Sequence, residues 1–251
     1  MLKKRFQFLF SIYGFLVFLA LMFMLLPLFM VSFLMNYVSG GNLLYKIARF
    51  WADAFFFLIG IKPLVIAEEN RDIRKQYIFV SNHISYLDIP MMLEVIRHQH
   101  VRILGKAEMT KVPIFGYIYK RGAVLVHRDN REKRSESVQS LVDFINKDIS
   151  VFICPEGTFN MTHHPLKQFY DGAFRIAIET QTPILPTLFL DTYDRLNYKS
   201  IFSLNPGKCR AVYLPETSTA GLSAEDLPML KEKIYRQMED GLFRYKASWI
   251  R

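Results

Sequence analysis

His83 and Asp88 lie five positions apart in the segment Ser81-Asn82-His83-Ile84-Ser85-Tyr86-Leu87-Asp88. It follows an apolar run, Tyr77-Ile78-Phe79-Val80, that reads as a buried strand. A histidine at a strand end, with a carboxylate about one helical turn further on, can work as a general base. The carboxylate would fix the imidazole tautomer and stabilise the imidazolium formed when a proton is taken. For the pair in isolation, a capping aspartate beside a structural histidine is the plain alternative.

Three later segments add chemistry at strand ends. Gly122-Ala123-Val124-Leu125-Val126-His127-Arg128 is a strand that ends in an arginine, whose planar fork matches two phosphate oxygens at once. A surface ion pair of Arg128 with Asp129 or Glu132 is the competing reading. Phe152-Ile153-Cys154-Pro155-Glu156-Gly157-Thr158 places a glycine where a strand turns, so the backbone can approach a ligand and its amides can receive anionic oxygens. Thr182-Pro183-Ile184-Leu185-Pro186 is the fourth.

With these four blocks in order between about Tyr77 and Leu188, the chain resembles the glycerolipid acyltransferase family. The resemblance implies an O-acyltransferase with His83 and Asp88 as catalytic pair. It also implies a substrate site drawing on Arg128, Glu156, Gly157, Thr158 and Lys106. Lys106 falls in Gly105-Lys106-Ala107-Glu108, similar to a further family block. The donor would be acyl-CoA or acyl carrier protein. The acceptor would be a lysophospholipid, with 1-acylglycerol 3-phosphate expected and phosphatidic acid as product. The residues themselves agree: a thioester is already activated, so the attacking alcohol needs only to lose its proton. No serine or cysteine stands in a nucleophile motif, and Ser85 and Cys154 read as packing or hydrogen-bonding residues. A carboxylate repels phosphate, so Glu156 is better suited to hold a hydroxyl or a loop amide.

One departure bears on the acceptor. Relatives that take lysophosphatidate often carry Arg-Ser after Glu-Gly-Thr, where this chain has Phe159-Asn160. Lys106 and Lys167 are candidate substitutes. Acylation of a lyso aminoacyl lipid or another lysophospholipid is the alternative this raises, with a non-catalytic lipid-binding protein more remote. The resemblance calls for no cofactor. His163-His164 and His83 do not make a metal site, since adjacent histidines on a strand point apart and no carboxylate spacing completes a set. His98 and His100 read as solvent-exposed.

Elements able to position these residues can be read along the chain. Strands are expected at Pro63–Ala67, Gln76–Val80, Val101–Gly105, Ala123–Val126, Val151–Cys154 and Ile184–Leu190. A short edge strand is expected at Arg210–Leu214. Helices are expected near Leu43–Leu58, Pro90–Arg97, Pro113–Tyr119, Ser135–Asn146, Gly172–Thr180 and Ala224–Tyr245. Alternation of this kind predicts an α/β fold, a mixed and largely parallel sheet flanked by helices, with functional residues at strand ends.

The N-terminus is of another kind. No charged residue occurs from Phe6 to Tyr45, a stretch longer than the ~20 residues a helix needs to cross a bilayer. Residues 1–41 therefore read as a hydrophobic membrane segment and 42–251 as the acyltransferase domain. Basic flanks at Lys3-Lys4-Arg5 and at Lys46 and Arg49 favour a helical hairpin bent near Pro27 over a single span. They also place the catalytic domain on the cytoplasmic side of the inner or cytoplasmic membrane. Ser39-Gly40-Gly41-Asn42 reads as the end of that segment and the cap of the next helix. The 32 Lys and Arg against 23 Asp and Glu give a net charge of +9, suited to an anionic membrane surface or phosphorylated lipid. No nucleic-acid motif accompanies it. The two cysteines, Cys154 and Cys209, lack metal-site spacing and suit a reduced compartment.

Overall fold

The computed structural model describes residues 2–70, 72, 74–112, 114–126 and 131–250. His127 and Arg128 lie outside the described residues. Seven strands form one sheet: β1 (Ile61–Ala67), β2 (Ile78–Ser81), β3 (Val101–Lys106), β4 (Ala123–Val126), β5 (Ser150–Ile153), β6 (Ile184–Phe189) and β7 (Gly207–Tyr213). Their spatial order is β1-β7-β6-β2-β5-β3-β4. The five strands from β6 to β4 run parallel, while β7 is antiparallel to β6 and carries β1 alongside it. Strands β2, β5, β3 and β4 therefore end on the same edge of the sheet, and the loops that carry the chemistry converge there.

Period-two side chains bury both faces. Tyr77 and Phe79 enter one core and Ile78 and Val80 the other. The first core is closed by α1 (Leu2–Val31), α2 (Tyr37–Leu58), α3 (Asp88–Val95) and α4 (Phe115–Gly122). The second is closed by α5 (Arg131–Ile145), α6 (Gly172–Thr180) and α8 (Leu227–Arg244), the short α7 (Thr192–Arg195) lying between β6 and β7.

Three expectations are corrected. The segment Arg210–Leu214 belongs to a longer β7 that lies inside the sheet, because β1 pairs outside it from Ile61 to Ala67. The helix does not break at Pro27. The proline removes one backbone donor, the one directed at Phe23, only a turn before α1 ends at Val31. The chain instead reverses at residues 32–36.

The third correction concerns Gly40-Gly41, which does not stop a helix. Helix α2 begins at Tyr37, where Asn36 Oδ1 accepts the Ser39 N–H at 2.9 Å, and it runs straight through both glycines. They are there for close approach. Arg121 Nη2 donates to the carbonyls of Ser32, Met35 and Asn36 at 3.0, 2.6 and 2.9 Å. Arg102, fully buried, donates to Val38 O at 2.9 Å and Asn42 Oδ1 at 3.0 Å. A Cβ at Gly40 or Gly41 would collide with one guanidinium or the other.

Helix α1, about 45 Å long at 1.5 Å per residue, lies over α2. Leu21, Met22, Leu25 and Phe29 are buried beneath it, each contributing ~1.5–3 kcal/mol, and Phe18 meets Trp51 edge-on at 5.3 Å. Gln7 Nε2 also donates to Ser203 O at 2.9 Å, tying the start of α1 to the domain. The outer face of α1 keeps Phe6, Leu9, Phe15, Leu16, Phe23, Met24 and Leu28 exposed. In α2 the aromatic cluster divides: Trp51, Phe55 and Phe56 are core, and Phe57 is 84% exposed.

Candidate active site

The loop after β2 is set by side chains that act as backbone. Asn82, buried where β2 ends, donates to Phe189 O at 3.0 Å and accepts from Phe189 N at 2.8 Å, extending the β2–β6 ladder by one step. The next residue, His83, turns out of the sheet. Its Nδ1 lies 2.8 Å from Asp88 Oδ2, and the side chains are 21% and 3% exposed. The same carboxylate oxygen accepts the N–H groups of Ile84 at 2.6 Å and Ser85 at 2.8 Å. These bonds fold the five-residue interval into a turn and open α3 with an acid in its first turn. An acceptor at Nδ1 selects the tautomer with its proton there, leaving Nε2 as the free base; among the described residues Nε2 makes no hydrogen bond. Ser85 is committed elsewhere, donating its hydroxyl to Leu196 O and accepting from Leu87 N at 3.0 Å.

Glu156, on the loop after β5, is 2% exposed. Its Oε1 accepts His83 N–H at 3.1 Å and its Oε2 accepts Lys167 N–H at 3.0 Å. One carboxylate thus ties the loop after β2 to a later point of its own loop. Burial pushes its pKa up to about 7, against the pull of those two amides. Gly157 takes φ +70°, the left-handed region that a side chain disfavours, and so turns the loop back over β5. Thr158 Oγ1 receives Lys167 Nζ at 2.5 Å. Desolvation drives the Cys154 thiol well above its usual range, which keeps it protonated and a poor nucleophile.

The two residues after Thr158 go opposite ways. The Phe159 ring meets His83 at 4.4 Å between centroids and Tyr86 at 4.9 Å, edge to face in both cases. Asn160 is buried: its N–H donates to His83 O at 2.7 Å, and its amide donates to His164 O at 2.9 Å. Both residues therefore pack around His83. Lys106 ends β3, two strands from β2 on the same edge.

The sequence thus brought His83, Asp88, Glu156, Gly157 and Thr158 into one locus, with Lys106 at the neighbouring strand end. Reading the chain alone passed over Asn82, Asn160 and the Phe159–His83 contact. An asparagine after a strand looks like a cap, and no local pattern shows that its partner is Phe189, 107 residues away.

Comparison with known proteins bears on the family and the fold. The family model described as Acyltransferase matches residues 62–189, just over half of the chain and all of the loops above. The 1-acyl-sn-glycerol-3-phosphate acyltransferase alpha of Mus musculus is 32% identical over 187 residues, 72% of this chain and 64% of that protein. The Homo sapiens protein of the same name is 30% identical over 198 residues, 77% of this chain and 68% of that protein. The 1-acyl-sn-glycerol-3-phosphate acyltransferase of Haemophilus influenzae is 28% identical over 149 residues, 59% of this chain and 61% of that one. The chain thus spans about two thirds of the length of these relatives. The fold matches the crystal structure of the 1-acyl-sn-glycerophosphate acyltransferase PlsC from Thermotoga maritima. The TM-score is 0.75 over 98% of this chain and 99% of that one, at 20% identity. With its strand-end histidine and aspartate, its Glu-Gly-Thr turn and the sheet that gathers them, the chain belongs to the acyltransferase family.

Proposed function

We propose that the protein is a membrane-associated O-acyltransferase that moves an acyl chain from acyl-CoA or acyl carrier protein to the free hydroxyl of 1-acylglycerol 3-phosphate. The observation that carries this reading is the His83 Nδ1–Asp88 Oδ2 contact of 2.8 Å, which leaves Nε2 available at a half-open strand end. Nε2 takes the hydroxyl proton as the oxygen attacks the thioester carbonyl. The C–S bond of the resulting adduct breaks, and the imidazolium returns the proton to the departing thiolate. An ester and a free thiol result, with no covalent enzyme intermediate. Glu156 acts as a positioning residue, since both its oxygens are spent on loop amides. Gly157 and Thr158 face the acceptor, and Lys106, at a neighbouring strand end, and Arg128 are the cations proposed for phosphate.

The membrane assignment rests on α1, which is long and apolar enough to cross a bilayer by length and composition. Its docking along the domain supports a different use: residues 1–41 lie in one leaflet, with the apolar outer face of α1 in lipid and the domain on the cytoplasmic side. A lysolipid acceptor then reaches the site from the bilayer, and the polar donor from water.

The test is acyl transfer by the purified protein to a panel of lysolipids. His83→Ala should lose at least the ~10²-fold that a general base supplies, while its unfolding midpoint stays near that of the parent. A loss below tenfold would remove His83 from the role. The same panel distinguishes lysophosphatidate from a lyso aminoacyl lipid as preferred acceptor.

A further inference from the structure

Acceptor phosphate demands a cation near the base, and the position after Thr158 does not supply one. Phe159 there is turned onto His83, and Asn160 is folded inward. Lys167 fills the same neighbourhood from further along the same loop. Its backbone N–H is held by Glu156, whose other oxygen holds the backbone of His83. The two residues are thus fixed to opposite oxygens of one carboxylate. Its side chain reaches back so that Nζ lies 2.5 Å from Thr158 Oγ1, one residue from the ring that abuts the imidazole.

The electrostatic setting of Lys167 is unusual for a half-buried lysine. Arg210, Lys231, Arg244 and Arg97 each reach a carboxylate, but Lys167 makes no ion pair among the described residues. The carboxylate closest to it in the network, Glu156, is pushed up to about 7 by burial and so neutralises it only in part. A lysine ammonium has three donors; Thr158 takes one. An unpaired cation beside a general base, with donors to spare, is suited to an anionic oxygen of the molecule that the base deprotonates.

We infer that Lys167, steadied by the Thr158 hydroxyl, grips the acceptor's phosphate in this chain and takes over from the cation missing after Thr158. The inference rests on the acyl-transfer reading above and adds the residue that selects a phosphorylated acceptor. In 1-acylglycerol 3-phosphate the reacting hydroxyl and the phosphate are on adjacent carbons, so base and phosphate grip must be close neighbours. His83 and Lys167 are.

Lys167→Met keeps the backbone N–H that Glu156 needs and removes only the ammonium. Initial rates are measured in mixed micelles with lysophosphatidate and, in parallel, with the monoacylglycerol lacking its phosphate. Lys167→Met should raise KM for lysophosphatidate roughly 10- to 100-fold, the factor that loss of a charge-assisted hydrogen bond corresponds to. The donor KM and the rate with monoacylglycerol should change less than about threefold, well below that factor. Lys167→Arg should restore most of the lysophosphatidate KM, and inhibition by glycerol 3-phosphate should weaken in Lys167→Met alone. A fall in kcat with both acceptors and no change in KM would assign Lys167 a merely structural place and overturn the inference. Normal lysophosphatidate kinetics in Lys167→Met would overturn it too while leaving the acyl-transfer reading standing. If the unmodified protein transfers nothing to lysophosphatidate, both fall together.

Discussion

Replacement of Asp88 by asparagine isolates charge from geometry at this site. Oδ2 accepts from His83 Nδ1, Ile84 N and Ser85 N, whereas Oδ1 is buried with no partner among the described residues. An asparagine must therefore keep its carbonyl at the Oδ2 position, because an amide nitrogen there would face two backbone N–H groups. The turn, the tautomer and the free Nε2 all survive; the negative charge does not. Two unit charges about 4 Å apart at an effective dielectric of 20 interact by about 4 kcal/mol. His83 is 21% exposed, so the lower figure of ~1.5–3 kcal/mol for a charge-assisted hydrogen bond is the better guide. Lost from the imidazolium-like transition state, it lowers kcat roughly 10- to 150-fold. Asp88 is 2% exposed and cannot touch the acceptor, so acceptor KM should hold within about twofold, far short of that loss. The assay is steady-state acyl transfer with acceptor varied at saturating donor. An acceptor KM raised tenfold at unchanged kcat would refute the pairing and make Asp88 a binding residue.

Glu156→Gln should flatten the pH dependence of stability. A carboxyl whose pKa rises from 4.5 to about 7 on folding contributes stability that is fully present below 4.5 and lost as pH climbs through 7. At 1.36 kcal/mol per unit the loss is about 3 kcal/mol. Denaturant unfolding at pH 4.5 and pH 8 should show a smaller difference in the variant by about that amount, and an equal difference would remove the buried-acid account. Gly41→Ala sets two effects against each other. Helix propensity alone favours alanine by ~1 kcal/mol, while a Cβ pressed into the Arg102 guanidinium costs ~1–3 kcal/mol. A lowered unfolding midpoint is expected, and a raised one would mean Arg102 moves aside freely. Phe15→Glu with Leu16→Glu, both on the open face of α1, should weaken binding to anionic vesicles without altering the melting temperature. Undiminished vesicle binding would count against that face as the membrane contact.

Local pattern carried much of the fold. Helix α6 occupies Gly172–Thr180 as its apolar spacing requires, and the strands before the site are all where short apolar runs sit beside turn residues. What failed locally depends on distant partners. Gly40-Gly41 looks like a helix stop until Arg102 and Arg121, far later in the chain, are seen to need the space. A basic residue within β3 suggests an exposed position, yet Arg102 is fully buried, its guanidinium over the Phe144 ring at 5.0 Å. The His83–Asp88 pair was legible because its interval is one turn long. Glu156 was legible in type but not in duty, since its partners lie 73 residues before it and 11 after.

The same two arginines bear on the order in which the molecule is made. Ser32 waits 89 residues for the guanidinium that will hold its carbonyl. At the ~5–20 residues per second of synthesis this is roughly 4–18 s. For that interval the apolar N-terminal helix has emerged with neither the sheet beneath α2 nor the arginines that fasten its turn. Its available partners are lipid and chaperones. Hydrophobic collapse takes microseconds, so on the membrane reading proposed above a bilayer has ample time to receive the helix first. On that reading the sheet closes against a helix already resting in lipid, with Arg102 and Arg121 as late fasteners of the junction between α1 and α2 once translation has passed them.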